Sequence, residues 1–163
     1  MRVAAILRTS AGALWPYAAA VLACMAVLIS SLKLWKADLH VPFVYSGDQL
    51  GVQMWVKGLI DNPWYLHNRF LGLPGQMEME DYPVSDSFHF LLLKAISLAS
   101  KDSAFVLNFY FLLTFPLATL SALMVFRRFQ VSYGPGLVGS LLFAFTPYLF
   151  FGARAIYSCR PIS

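Results

Sequence analysis

Residues 103–126 read SAFVLNFYFLLTFPLATLSALMVF, a run with no charged side chain that ends at the basic pair Arg127-Arg128. An apolar stretch of about 18 residues or more is long enough for a helix to cross the hydrocarbon core of a bilayer. The run therefore predicts a transmembrane helix over about residues 103–126. Because basic residues collect on the cytoplasmic side of membranes, Arg127 and Arg128 place the C-terminal end of this helix inside the cell.

Two further uncharged runs flank this one and predict transmembrane spans over about residues 11–34 and 133–153. Arg2 and Arg8 precede the first span and place the N-terminus in the cytoplasm. The chain is 59% hydrophobic and 12% charged, whereas soluble domains average about 45–50% and about 25%. We therefore expect an all-α integral membrane protein with about three transmembrane helices, a single domain over residues 1–163.

Two of the predicted spans carry signs of packing against other helices. Pro116 removes one backbone hydrogen bond from the second span, and such a kink is tolerated where neighbouring helices or a side chain such as Thr114 satisfy the freed carbonyl. Gly136, Gly139 and Ser140 form a small-residue face on the third span, where helix backbones approach closely. We expect both features to face protein.

The segment between the first two spans, residues 36–102, contains all eight acidic residues of the chain. Seven of the twelve basic residues lie outside this segment and flank the apolar runs, as membrane insertion requires. They do not gather on a solvated face as in proteins that bind nucleic acid. Nucleic-acid binding is therefore not expected. Since loops beyond about 12–15 residues usually have a function, this outer loop is where we look for one.

Two amphipathic helices of interfacial type are predicted within the outer loop. The first covers residues 48–61 and has polar Gln53, Lys57 and Asp61 on one stripe. The opposite side of this helix is apolar and carries Val52, Trp55, Val56 and Leu59. The second helix covers about residues 85–100, begins at Ser85 or Asp86 as a cap, and is apolar except for a narrow strip of Lys94, Ser97 and Lys101.

The outer loop also contains residue types that could carry chemistry. Asp48 begins the first predicted helix, where a carboxylate can act as a general base or can simply cap the helix. The basic residues Lys57, His67 and Arg69 could bind a phosphate, although His67 and Arg69 could equally contact lipid headgroups.

An acidic cluster follows, made of Glu78, Glu80, Asp81 and Asp86. Carboxylates of this kind hold hard divalent cations such as Mg²⁺ or Mn²⁺, but they also occur in solvated turns, and Asp86 could be a helix cap. His40 and His89 have no second ligand at metal-binding spacing.

Several motifs resemble one family. They are SGDQLGVQMWVKGLIDNPWYLHNRFLGLPG, EDYPVSDSFHFLLLKAISL, NFYFLLTFPLATLSALMVFRRF and GPGLVGSLLFAFTPYLF, over roughly residues 14–152. In this order they are similar to the N-terminal portion of bacterial GT-C glycosyltransferases, integral membrane enzymes that use sugars linked to polyprenyl phosphate.

The resemblance implies a location in a bacterial inner membrane and a role for several residues. It implies two helices lying along the membrane in the first outer loop, with Asp48 as the catalytic base near the start of the first. Some relatives bind a divalent metal through acids in this region, which makes Asp81 and Asp86 metal-binding candidates. Lys57, His67 and Arg69 would contact the phosphate of the donor.

The chain also departs from that family. GT-C enzymes have many more spans, and the sequence after Phe151, GARAIYSCRPIS, leaves their pattern. We therefore expect a truncated or frame-shifted product that lacks activity alone. The alternative is a noncatalytic small membrane subunit or scaffold. A transporter fragment is disfavoured because the apolar runs that form the predicted spans, residues 10–32, 103–126 and 129–153, contain no charged residue.

Overall fold

The structure is a computed structural model and describes residues 2–43, 48–70, 72, 75–78 and 87–146, with side chains from residue 14 onward. Its described elements are almost all helical. They are α1 (Arg2–Leu32), a 3₁₀ turn (Leu34–Lys36), α2 (Asp48–Asp61), β1 (His67–Asn68), β2 (Met77–Glu78), α3 (Ser87–Ser97), α4 (Ser103–Arg128) and α5 (Tyr133–Ala144).

Two helices are long and apolar enough to cross a membrane, namely α1 over Leu14–Leu32 and α4 over Ser103–Arg128. Only 17% and 22% of these stretches is buried. A core helix of a soluble protein would be mostly buried, so the exposed apolar surface of both helices fits a lipid environment. The helices predicted at about 11–34 and 103–126 are therefore present.

The third predicted span, residues 133–153, is found only in part. Its described helix, α5, has 12 residues, which at 1.5 Å per residue is about 18 Å, less than the roughly 30 Å of a bilayer core. Residues 147–153 lie outside the described part of the chain. The described residues thus contain two span-length helices where the sequence predicts three.

The chain divides into two compact units, although the sequence predicts a single domain. The first, unit 1, contains α1, the part of α4 from Leu112, and α5. Here Gly136, Ser140 and Ala144 are buried, and a Cβ at Gly136 would lie 3.5 Å from the Leu123 side chain. The small-residue face of α5 therefore packs on α4, as the sequence predicts.

Two prolines of unit 1 lie inside its long helices. Pro116 of α4 is buried, as predicted for a kink that faces protein. Pro16 lies inside α1, and its carbonyl oxygen accepts a 2.7 Å hydrogen bond from the Tyr133 hydroxyl. The Tyr133 ring also lies 6.3 Å from the Trp15 ring. The first turn of α5 is thus attached to α1.

The second unit, unit 2, contains residues Asp38–Phe111 and corresponds to the predicted outer loop with the start of α4. Its core combines α2, α3, the segment between them and α4, with Val56, Leu59, Ile60, Tyr65, Phe90, Leu93 and Val106 buried. The predicted apolar face of α2 is confirmed, but Val52 and Trp55 pack against this core. That face is therefore covered by protein and is not free to contact lipid.

The polar strip predicted on α3 faces inward. Ser97 is fully buried, and the Lys94 ammonium donates hydrogen bonds to the carbonyl oxygens of Leu59 at 2.7 Å and Asn62 at 2.9 Å. The last carbonyls of a helix lack intrahelical partners and carry partial negative charge, so a cation here is favourable. Lys94 therefore caps the C-terminal end of α2.

The segment that follows α1 is bound to the start of α4 by Asn108. Its side-chain amide donates to the Leu39 and Val41 carbonyl oxygens, each at 2.8 Å, and its carbonyl oxygen accepts the Phe43 N–H at 3.1 Å. Asn108 is only 3% exposed. These bonds satisfy the donor and acceptor groups of the buried Asn108 side chain and hold residues 39–43 against α4.

Candidate functional site

Asp48 is the first residue of α2, and its side chain is exposed. The N-terminal end of a helix carries partial positive charge, which stabilises a carboxylate placed there. The core of unit 2 fixes α2, so Asp48 has a defined position at the edge of this unit. The structure thus exposes the Asp48 side chain at the start of a packed helix, which its predicted role as a general base requires.

Lys57 is not close to Asp48. Nine residues separate them, which along an α-helix is about 13.5 Å and two and a half turns. The two side chains therefore leave opposite faces of α2. The Lys57 ammonium instead pairs with Asp61, 3.0 Å from its carboxylate oxygen. One small phosphate group cannot contact Asp48 and Lys57 together.

A short hairpin brings His67 opposite Glu78. The strands β1 and β2 pair antiparallel with His67 facing Glu78 and Asn68 facing Met77. The turn between them uses Gly72 at φ +86°, where a Cβ would lie 2.7 Å from the Met77 nitrogen. Only glycine adopts this conformation without strain.

The hairpin gathers three of the candidate polar residues on one small element. His67, Glu78 and, just after β1, Arg69 are all exposed. Directly opposed residues on antiparallel strands have Cβ atoms about 4.5–5.5 Å apart, so His67 lies beside Glu78, while Arg69 follows β1 in the turn. The sequence signal for this pairing is the turn-forming LGLPG between the two strands.

A small cavity lies behind the hairpin, lined by Trp55, Gly58, Tyr65, Asn68, Met77 and Phe90. It has space for about one water molecule. Within the described part of the chain the buried Trp55 Nε1 has no hydrogen-bond partner. A cavity of this size is far smaller than the sites that bind sugars or other small molecules, so it is a packing feature of unit 2 and not a substrate pocket.

The metal-binding prediction falls mostly on residues that the structure does not describe. Glu80, Asp81 and Asp86 lie outside the described ranges, and among the described residues no three His, Cys, Asp or Glu side chains are grouped to hold a metal ion. The predicted Mg²⁺ or Mn²⁺ site therefore stays a prediction.

The two isolated histidines have hydrogen-bond partners that the sequence does not indicate. His40 Nδ1 lies 2.6 Å from the Asp102 carboxylate, and the other oxygen of Asp102 accepts the Ala104 N–H at the start of α4. His89 Nδ1 is hydrogen-bonded to the Tyr110 hydroxyl. Both histidines join segments far apart in the chain, which is a structural role.

No protein-family model, curated protein or solved structure matches this chain. The functional interpretation therefore depends on the residues themselves and on the motifs that resemble GT-C enzymes. Of the predicted site residues, His67 lies in β1 and Arg69 just after it, while Lys57 is more than two helical turns from Asp48.

Proposed function

We propose that this chain forms the N-terminal part of a membrane glycosyltransferase that transfers a sugar from a polyprenyl-phosphate donor at the outer face of the bilayer. The observation that supports this best is the exposed Asp48 at the start of α2, in a packed unit whose sequence lies between two span-length helices. A catalytic base must be held in place, and a rigid helix does this better than a loop. The donor lipid is confined to the same membrane.

In this reaction Asp48 removes a proton from the acceptor hydroxyl as the oxygen attacks the anomeric carbon of the sugar. The bond from that carbon to the phosphate oxygen breaks, and polyprenyl phosphate leaves with the electron pair. Arg69 and His67 have the hydrogen-bond donors that would stabilise the negative charge of the leaving phosphate.

Asp81 and Asp86 offer the hard oxygen ligands that would suit a Mg²⁺ or Mn²⁺ ion beside this phosphate. Lys57 is a weaker candidate for donor binding, because its charge is already paired with Asp61.

A noncatalytic membrane subunit or scaffold is the second candidate. The observation that favours it is the apolar outward surface of α3, where Phe88 and Leu91 are 65% and 56% exposed. Such a surface could bind a partner protein. This function requires no donor lipid and no ionised Asp48, which distinguishes it from the first proposal.

Donor binding by the chain itself is the first test. A photoactivatable polyprenyl-phosphate sugar in vesicles should crosslink to the chain within unit 2. Arg69→Gln should weaken binding by about 10- to 100-fold, since a hydrogen bond to a charged group contributes about 1.5–3 kcal/mol. Absence of crosslinking to the unsubstituted chain would exclude the transferase proposal and leave the scaffold.

Turnover is tested in an intact, full-length relative that contains these residues. The Asp48→Asn change should lower glycosyl transfer by about 10²–10⁴-fold, the usual contribution of a general base, with expression unchanged. Asp61→Asn at the other end of the same helix is the matched control and should retain transfer. If Asp48→Asn retains it as well, Asp48 is not the base.

A further inference from the structure

His40 is a histidine that the fold holds in place although its side chain is exposed. The carbonyl oxygens on either side of it, those of Leu39 and Val41, each accept a 2.8 Å hydrogen bond from the buried Asn108 amide. The backbone N–H of His40 donates to Asp38 Oδ1 at 2.9 Å. The backbone is therefore fixed on both sides of His40, while 65% of its side chain is open to solvent.

The Asp102 carboxylate orients the imidazole ring of His40. One carboxylate oxygen lies 2.6 Å from His40 Nδ1, and the other accepts the Ala104 N–H at 3.0 Å. The imidazole ring also stacks on Phe105, with 5.5 Å between the ring centroids. Because an ionised carboxylate can only accept a hydrogen bond, Nδ1 carries the proton. In the neutral imidazole the free lone pair therefore lies on Nε2.

The Nε2 atom of His40 is an available base. No residue within the described part of the chain forms a hydrogen bond with it. A carboxylate on the opposite ring nitrogen stabilises the imidazolium that forms when Nε2 takes up a proton. Stability alone does not account for this pair, because ion pairs as exposed as this one contribute little, and Asn108 already binds residues 39–43 to α4.

We propose that His40 and Asp102 form an acid–base dyad that exchanges a proton with a hydroxyl-bearing ligand at the membrane surface. Asp102 immediately precedes α4, which is long enough to span a bilayer, and the dyad thus lies where a membrane-spanning α4 leaves the lipid. An imidazole near neutral pH is suited to take a proton from a hydroxyl group and to return it.

The proton moves from the hydroxyl oxygen of the ligand to His40 Nε2. The electron pair of the O–H bond stays on the oxygen, and the Asp102 carboxylate balances the positive charge of the imidazolium. Neither Asp48 nor glycosyl transfer is required for this exchange.

Nitrogen NMR of the imidazole rings tests the dyad on the full chain in lipid bicelles. The chain has three histidines, and His40→Gln identifies the signals of His40 by their loss. At a pH where the ring is neutral, we expect a proton on Nδ1 and none on Nε2. Asp102→Asn should abolish this preference but retain the start of α4, since asparagine caps a helix about as well as aspartate does.

Asp38→Asn is the matched control. It removes the same charge from the same unit, but Asp38 Oδ1 contacts the backbone N–H of His40 and not the ring, so the proton should remain on Nδ1. A proton on Nε2 in the unsubstituted chain, or an unchanged preference for Nδ1 in Asp102→Asn, would overturn the dyad.

Phosphatidylglycerol, whose headgroup contains hydroxyl groups, tests the ligand on the unsubstituted chain. Its addition to phosphatidylcholine bicelles should shift the His40 Nε2 signal, because a hydrogen bond to the lone pair changes the shielding of this nitrogen. Phosphatidylethanol has the same charge without a headgroup hydroxyl and should cause no comparable shift. Free glycerol at the same hydroxyl concentration should also be ineffective, which separates a membrane ligand from a dissolved one. No shift with phosphatidylglycerol, or an equal shift with either control, would overturn the proposal.

Discussion

Replacing Lys94 by methionine should destabilise the contact between α3 and α2. Methionine keeps the length of the side chain but removes the ammonium that binds the Leu59 and Asn62 carbonyl oxygens at 2.7 and 2.9 Å. A hydrogen bond to a charged group contributes about 1.5–3 kcal/mol. Lys94 is partly exposed, and water can replace some of this interaction, so we expect a loss of about 2–3 kcal/mol for both bonds together.

Hydrogen exchange measures this loss locally. For the chain in detergent micelles, exchange of the backbone amides in peptides from α2 and α3 should be about 30- to 150-fold faster in Lys94→Met, since 1.4 kcal/mol corresponds to a factor of ten. Peptides from unit 1 provide an internal reference and should be unchanged.

Lys57→Met is the matched control. Lys57 forms an exposed ion pair with Asp61 four residues along the same helix, and such pairs contribute about 0.3–0.5 kcal/mol. Exchange in α2 should therefore change by only about twofold. Equal effects of the two substitutions would refute the interpretation of Lys94 as a helix cap.

Substitution by alanine of two glycines in α2 and one in α5 should change the stability of the chain according to the space around each glycine. Gly58→Ala should destabilise unit 2 by about 1–2 kcal/mol, because its Cβ would lie 2.5 Å from the amide nitrogen of buried Asn68. At Gly51 an added Cβ would have no atom within 4 Å, so Gly51→Ala should stabilise α2 by about 0.8–1 kcal/mol. Amide exchange in α2 measures the effects of Gly58→Ala and Gly51→Ala. Gly139→Ala should lower the thermal stability of unit 1 in detergent, since its Cβ would lie 2.9 Å from the Phe126 ring.

Gly134→Ala is the control for the last of these. Gly134 lies in the first turn of α5, and an added Cβ there would have no atom within 4 Å. The midpoint of thermal unfolding of the Gly134→Ala variant should therefore not fall. Comparable losses for Gly134→Ala and Gly139→Ala would contradict close packing of α5 on α4. A Gly58→Ala variant as stable as Gly51→Ala would likewise contradict the contact with Asn68.

The individual residues of the candidate site could be predicted from the sequence, but not all of the spatial relations between them. The exposed carboxylate at Asp48 follows from a helix start that the pattern of residues 48–61 already indicates. The separation of Asp48 from Lys57 also follows from helix geometry alone. By contrast, the opposition of His67 and Glu78 depends on the register of a hairpin, which a slip of one residue would change.

The spans α1 and α4 and the amphipathic α2 could be located from local composition. A bilayer requires about 20 consecutive apolar residues, and an amphipathic helix shows its buried side in its own periodicity. Both are properties of short stretches of chain. Contacts between residues far apart in the chain cannot be located from short stretches of sequence. Lys94 and the Leu59 carbonyl lie 35 positions apart, and His40 and Asp102 lie 62 positions apart.

The orientation of α3 shows this difference most clearly. Apart from the narrow strip of Lys94, Ser97 and Lys101, α3 is apolar, and its own periodicity would turn this strip toward water. The carbonyl oxygens of Leu59 and Asn62 at the end of α2 bind the Lys94 ammonium instead, and Phe88 and Leu91 are exposed. The composition of this segment predicts a helix, and packing against α2 determines which face of that helix is buried.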